Sequence, residues 1–224
     1  MIPKIEKPIT ASLESLSLLE EKEIHQKYKK KKRLFSKGEV KVYESEEVEK
    51  FATLNLKGLN IYGYEFGIAY PRNKEYPLFI YQMIYVPNRA LAIVNYPYPK
   101  EEEKDGESIF QNFLDLDAHL AKKRIFKELK PQYFIADDLL ENRYNGIIMT
   151  SEIEEAYDDV KILFERWHEG MNNGGEEFPD QGEEYRLWVE QFKDRFFSKD
   201  YGYNATKRYL GKKWTDEVFS KILR

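Results

Sequence analysis

Polar side chains set inside apolar strands are the first places where this chain can do chemistry. Gln82 lies in Tyr76–Val86 and Asn95 in Ala90–Pro97, two β-branched and aromatic runs joined by Pro87-Asn88-Arg89. The pattern predicts a hairpin at the centre of a sheet. Strand side chains alternate, so Gln82 shares a face with Leu78, Ile80, Ile84 and Val86, and Asn95 shares one with Leu91 and Ile93. A polar group in an apolar face needs a partner or costs a few kcal/mol. That face is the first place to look for a ligand. Two carboxylates stand out from the rest. Glu65 sits inside Leu59–Tyr70 with Gly63 and Gly67 as its same-face neighbours. Space beside it would admit a planar ligand, and desolvation would raise the carboxyl toward proton transfer. The same pattern also fits an edge-strand Glu facing water beside a bulge. Asp200, in Ser198-Lys199-Asp200-Tyr201-Gly202, separates two helical stretches and suits a helix N-cap. A chemical role and a cap are compatible there.

These residues need elements to hold them. Residues 10–33 read as a helix capped by Thr10, apolar at Leu13, Leu16, Leu18, Leu19 and Ile24 and ending in the basic run Lys27–Arg33. That run is either a solvated face or a docking patch for an acidic partner. From 39 to 97 the period becomes two, giving five consecutive strands in an antiparallel meander: Val40–Tyr43, Phe51–Leu56, Leu59–Tyr70 and the hairpin pair. After 100 the chain is mostly helical: Ser108–Leu129, a helix behind the Ser151/Glu154 capping box with the stripe Ile153, Ala156, Tyr157, Val160, Leu163, Phe164 and Trp167, a loop at Gly170–Gly175, a helix over 180–198, a short one, and Thr215–Leu223. Strands first and helices after predict an α+β fold with helices covering the sheet. The expected organisation is a helical segment over 1–38 packed on a single domain over 39–224.

Composition narrows the function. With 224 residues the chain can bury a sizeable core, and its 17 Tyr, 14 Phe and 3 Trp fill either that core or a pocket for a flat conjugated ligand. A net charge of −4 argues against a nucleic-acid partner. The absence of cysteine excludes disulfide, thiolate, iron–sulfur and cysteine–zinc chemistry. His25, His119 and His168 lie on separate predicted helices without HxxxH spacing, so surface positions and no metal site are expected. No GxGxxG, Walker or GxSxG motif occurs. No apolar run of about 18 residues occurs and the first residues lack a signal-peptide core, so no membrane partner is expected and a cytoplasmic site is, or an organellar one after loss of a transit peptide.

The order of these pieces from about residue 48 to 224 resembles the ferredoxin-dependent bilin reductases, to which red chlorophyll catabolite reductase is related. Three anchors carry the resemblance: Tyr70-Pro71 followed by Tyr76-Pro77-Leu78-Phe79, then Ala92–Pro97, then Lys199-Asp200 with Gly211-Lys212-Lys213-Trp214-Thr215 and Val218–Leu223. The resemblance implies a three-layer α/β/α sandwich with a central antiparallel sheet and a linear tetrapyrrole between the sheet and the C-terminal helices. It implies reduced ferredoxin as electron donor, no cofactor bound in the enzyme, and protons from carboxylates. Gln82, Asn95, Phe66 and Tyr81 would contact the pigment. Asp200 would donate protons, with Glu65 the second candidate. Arg89, Lys207 and Arg208 would serve propionates or the donor, and Lys27–Arg33 with Lys212-Lys213 would dock the acidic ferredoxin. The sequence departs from the pattern where the sheet Asp is Gln82, where the preceding strand's His falls near Phe66, and where the Pro after the C-terminal Asp is Tyr201. An amide cannot act as a general acid near neutral pH, so a non-catalytic pigment binder on the same scaffold is the alternative.

Overall fold

The computed structural model describes residues 13, 19–59, 61–73, 76–99, 110–132, 134–141, 143–173 and 182–224. The period-two stretch forms β3 (Ser36–Glu44), β4 (Val48–Gly58), β5 (Tyr62–Pro71), β6 (Phe79–Val86) and β7 (Arg89–Asn95), each antiparallel to the next. Short strands widen this meander at both edges. β1 (Glu20–Lys22) and β2 (Lys30–Arg33) pair with β3, and β8 (Lys127–Glu128) and β9 (Asn145–Ile148) follow β7. The nine strands form one sheet in the order β1-β3-β4-β5-β6-β7-β9-β8, with β2 beside β3.

The helix expected over 10–33 is corrected within the described residues. Leu13 is helical and buried, but 20–22 and 30–33 are strands, and only α1 (Gln26–Lys29), capped by His25, is helical between them. Thr10, Leu16 and Leu18 lie outside the described residues. Beyond Leu19 the segment has no apolar stripe, so pairing with β3 outweighs its helix propensity. This segment is therefore built into the sheet, not laid on it.

Helices cover both faces. α2 (Gln111–Arg124) and α3 (Ile153–Asn173) bury one core with Phe51, Phe79, Tyr81 and Tyr85. α4 (Gly182–Lys199), α5 (Tyr201–Leu210), α6 (Lys212–Val218) and a π-helical turn Phe219–Leu223 bury the other with Leu54, Tyr64, Phe66 and Ile80. The result is the expected α+β fold, a three-layer sandwich. α3 begins at Ile153 after a 3₁₀ turn and continues through Gly170, read as loop, to Asn173, because Met171 is buried against the same core. His168 is not a surface residue. It is 5% exposed, with Nε2 3.0 Å from Glu47 Oε2, whereas His25 and His119 are exposed. Among the described residues no helix is long and apolar enough to cross a membrane.

The glycines beside Glu65 mark close packing and not open space. A methyl group at Gly67 would stand 2.2 Å from Tyr81 Cε1, and one at Gly63 would stand 2.8 Å from the Tyr85 ring. Both rings come from β6, through the pairs Gly67↔Tyr81 and Gly63↔Tyr85. Gly67→Ala is therefore expected to lower stability by about 1–3 kcal/mol, the range for overpacking a filled core. Urea denaturation checks this, and an unchanged midpoint would show that Tyr81 swings away freely.

Candidate ligand site between the sheet and the carboxyl-terminal helices

Alternation on β5 and β6 brings Tyr64, Phe66 and Gln82 onto the face covered by α4–α6, with Phe66 directly opposite Gln82. Asp200 closes the same seam from above. It is the N-cap of α5, its extended backbone (φ −60, ψ 135) turning the chain so that Oδ2 accepts from Tyr203 N at 3.2 Å. Gln82 Nε2 donates to Asp200 Oδ1 at 2.9 Å, and the Tyr64 hydroxyl lies 3.4 Å from both Gln82 Nε2 and Asp200 Oδ2. A methyl group at Gly202 would lie 2.1 Å from the Tyr64 hydroxyl, so only glycine lets the first turn of α5 sit this low on the strand.

Burial dominates the electrostatics. Gln82 is 2% and Asp200 1% exposed. Desolvation pushes the Asp200 carboxyl from 3.8 up to about 6, against hydrogen bonds from Gln82, the Tyr203 and Gly202 amides and Tyr64 that hold it down. Desolvation, then the nearby Asp200 charge, raises the Tyr64 hydroxyl well above its ordinary value, so it stays neutral and donates. The cluster thus holds one carboxyl able to gain or lose a proton near neutral pH, oriented by an amide and a phenol. Among the described residues no three or more His, Asp or Glu side chains gather as a metal-ligand set.

Asn95 stands opposite Ile80 on the same face, a diagonal neighbour of Gln82 across the β6–β7 pair. It is 4% exposed, and its Oδ1 has no hydrogen-bond partner among the described residues. Beyond it the face continues with half-buried Ile84 and Leu91 and with Ile93 and Ile147 at 8–9% exposure. α5 packs on β2 and β3 and the terminal π turn on β4, so the helix layer is centred away from this half. Arg89 ends the face at the β6–β7 turn, exposed and roughly 13 Å along the strand from Ile93. Phe66 is packed between Phe196 and Phe197 of α4, ring centroids 5.9 and 6.2 Å away. Lys207 and Arg208 are exposed on α5, beside the rings of Tyr203 and Tyr209.

Two expected site residues are elsewhere. Glu65 and Tyr81 belong to the α2–α3 face, because each is one residue out of phase with Phe66 or Gln82. Glu65 is 2% exposed in a central strand, so neither the open hollow nor the water-facing edge expected for it exists. Its Oε1 lies 2.8 Å from the Tyr157 hydroxyl of α3 and 3.2 Å from that of Tyr85, and the two hydroxyls also contact each other. Two phenol protons thus serve the three contacts: one phenol donates to the carboxylate and the other to the carboxylate or to its neighbour. It joins α3 to the sheet.

Sequence reasoning missed Tyr64, whose only signal was its parity with Phe66, and a cavity on the same face under α4. This cavity, about 660 Å³, lies among Lys50, Tyr70, Leu78, Tyr185 and Lys193, within the roughly 300–1,000 Å³ of small-ligand pockets. Gln82, Asn95 and Asp200 do not line it. Lys50 and Lys193 each place Nζ 4.7 Å from the Tyr70 ring centre, and burial followed by repulsion from Lys193 pushes Lys50 down to about 8.

No family model and no curated protein matches the chain. Among solved structures it is similar to the selenomethionine form of phytochromobilin synthase from tomato, crystallised in complex with biliverdin. The TM-score is 0.73 with 16% identity, over 96% of this chain and 80% of that one. At this identity the likeness establishes a shared fold.

Asp200 gives a pH signature. Its folded value, about 6, lies above the ordinary 3.8, so the fold favours the protonated acid and stability falls as pH rises between the two. From about pH 4 to about pH 7 the stability of Asp200→Asn relative to the native chain is expected to rise by roughly 3 kcal/mol, at about 1.4 kcal/mol per unit. Urea titrations of both proteins across that range check it, and parallel curves would remove the buried charge from the account.

Proposed function

We propose that the chain binds an open-chain tetrapyrrole of the biliverdin type against the Gln82–Asn95 face and reduces it with electrons from reduced ferredoxin. The observation that carries this reading is the convergence of Gln82 and Asp200 on one buried contact of 2.9 Å, with Asp200 held near neutrality. The orphaned Oδ1 of Asn95 on the same face and the fold shared with a protein crystallised with biliverdin support it.

In this reading the pigment lies along the half of the face that α4–α6 leave lightly covered. Pyrrole N–H groups donate to Asn95 Oδ1, and lactam oxygens accept from Gln82 once the Gln82–Asp200 contact opens. Arg89 at the end of the face pairs a propionate. Ferredoxin delivers electrons singly, and the protonated Asp200 gives its proton to a ring or bridge carbon as each electron arrives. Reducing one double bond takes two electrons and two protons, so Asp200 is reprotonated between them. Glu65, on the other face, has no part in this. No group bound in the enzyme is needed, and cations at the chain's surface meet the acidic donor.

A second reading, a carrier that binds the pigment without reducing it, is favoured by the amide at Gln82, where the resemblance expects an acid. Mixing the protein with biliverdin under anaerobic conditions is expected to shift and sharpen the pigment's absorption, and adding reduced ferredoxin is expected to bleach it. No shift defeats both readings. A shift without bleaching leaves the carrier. Asp200→Asn is expected to keep the shift and slow bleaching by at least about a hundredfold, the usual share of a general acid. Gln82→Asp separates the readings further, since bleaching gained only in that variant would mean that the native chain is a carrier.

A further inference from the structure

Two tight turns present large apolar side chains to solvent at one corner of the sheet. The β2–β3 turn carries Leu34, 92% exposed, and Phe35, 79% exposed. The β4–β5 turn carries Leu59 and Ile61, 48% and 51% exposed. The turns are adjacent, since Leu59 N donates to Phe35 O at 3.3 Å. Leu34 and Leu59 both adopt the left-handed backbone, with φ of 46 and 54. Glycine or asparagine suits that conformation, and a bulky side chain there is uncommon. Neither folding propensity nor solubility accounts for leucine at these positions.

The flanks of the corner are cationic. On one face the register sets Lys32 opposite Lys37 and Lys37 opposite Lys57, three lysines abreast across three strands. Like charges directly opposed weaken a sheet. Among the described residues none of these lysines has an ion-pair partner. On the other face Arg33 and Arg208 line a cleft of about 180 Å³ beside Leu34, Phe35 and Leu59. An apolar protrusion ringed by cations matches the layering of a bilayer, with anionic headgroups outside and hydrocarbon within. An acidic protein would use the cations but has no need of protruding leucine and phenylalanine, which call for a concave apolar partner.

We propose that this corner is a membrane-contact tip, which inserts Leu34, Phe35, Leu59 and Ile61 into an anionic lipid surface while the flanking lysines and arginines hold the headgroups. The absence of a spanning segment bears only on crossing the bilayer, and a tip of this kind needs none. The inference stands apart from the pigment reading.

The test is cosedimentation of the full chain with vesicles of phosphatidylcholine alone or mixed with phosphatidylglycerol. Binding is expected on the mixed vesicles only, and it weakens as salt rises. Leu34→Asn with Phe35→Ser is expected to weaken it by about tenfold or more, a loss set by the apolar area kept in water. Lys32→Glu with Lys37→Glu is expected to do the same through charge. The chain has no cysteine, so Phe35→Cys takes a single solvatochromic dye, whose emission should shift to the blue on mixed vesicles. Failure to sediment overturns the proposal. So does sedimentation without a dye shift, which would be adsorption by charge alone. Concentration-dependent self-association that disappears in the Leu34/Phe35 variant also overturns it, because the corner would then be an interface between copies.

Discussion

A carboxyl group taken out of water constrains the rest of this structure. Asp200 is nearly inaccessible, and an unpaired charge there would cost several kcal/mol. Donors from three elements meet it: Gln82 from β6, Tyr64 from β5, and the first amides of α5. Satisfying one acid therefore fixes the height and direction of α5 over the sheet. The helix can descend that far only because Gly202 has no side chain to strike Tyr64. The burial that makes the charge costly is also what brings its proton exchange toward neutral pH. The helix cap and the raised carboxyl thus have one cause, desolvation, and the cap is compatible with the proton-donor role proposed for Asp200.

The second buried acid of the sheet shows how much depends on parity. Glu65 is next to Tyr64 and Phe66 in sequence, yet it faces the opposite helix layer. There it sits within hydrogen-bond distance of two mutually bonded phenols, whose hydroxyls it raises, after desolvation, by its own charge. The arrangement ties α3 to β5 and β6. A similar tie joins α2, α3 and the start of β9: Arg124 of α2 donates to Asp159 of α3 at 2.9 Å, and Tyr144 beside β9 donates to the same carboxylate at 3.0 Å. Both layers also leave buried polar atoms without a partner among the described residues: the Tyr96 hydroxyl and Asp117 Oδ2 on the α2–α3 side, and Thr206 Oγ1 and Asn95 Oδ1 on the α4–α6 side, the last one strand from Gln82.

The parts of this plan that could be read from sequence are those with strong apolar patterning. Tyr76–Val86 and Ala90–Asn95 are near-continuous β-branched and aromatic runs and became β6 and β7, and the stripe from Ile153 to Trp167 became the buried side of α3. β1, β2 and β8 are short and charged, and they are strands only because β3 and β9 offer them hydrogen bonds. No local pattern encodes that. Gln82 and Asp200 were legible as polar groups in apolar or cap settings. Tyr64 was not, because a tyrosine in a strand looks like core. Glu65 was misjudged because space beside a glycine is set by the neighbouring strand, and β6 fills it with Tyr81 and Tyr85. Lys50, in a strand among alternating residues, gave no sign that it would border a cavity.

The amide at position 82 gives the site a simpler titration than two acids would. Two carboxyls at hydrogen-bond distance cannot both ionise, and their protons come off as properties of the pair. With Gln82 as the partner, one carboxyl titrates alone, lowered by its hydrogen bonds and raised by its burial. The amide donates to Asp200 whether or not a proton is present on the other oxygen, so the acid keeps its orientation through a cycle of loss and recovery. In the proposed function, such a site would deliver protons one at a time from a single point, in step with electrons supplied singly, and would confine the chemistry to atoms within reach of one carboxyl. In the proposed reading, the bond reduced is chosen by how the pigment lies against Asn95 and Arg89, and not by which of several acids it meets.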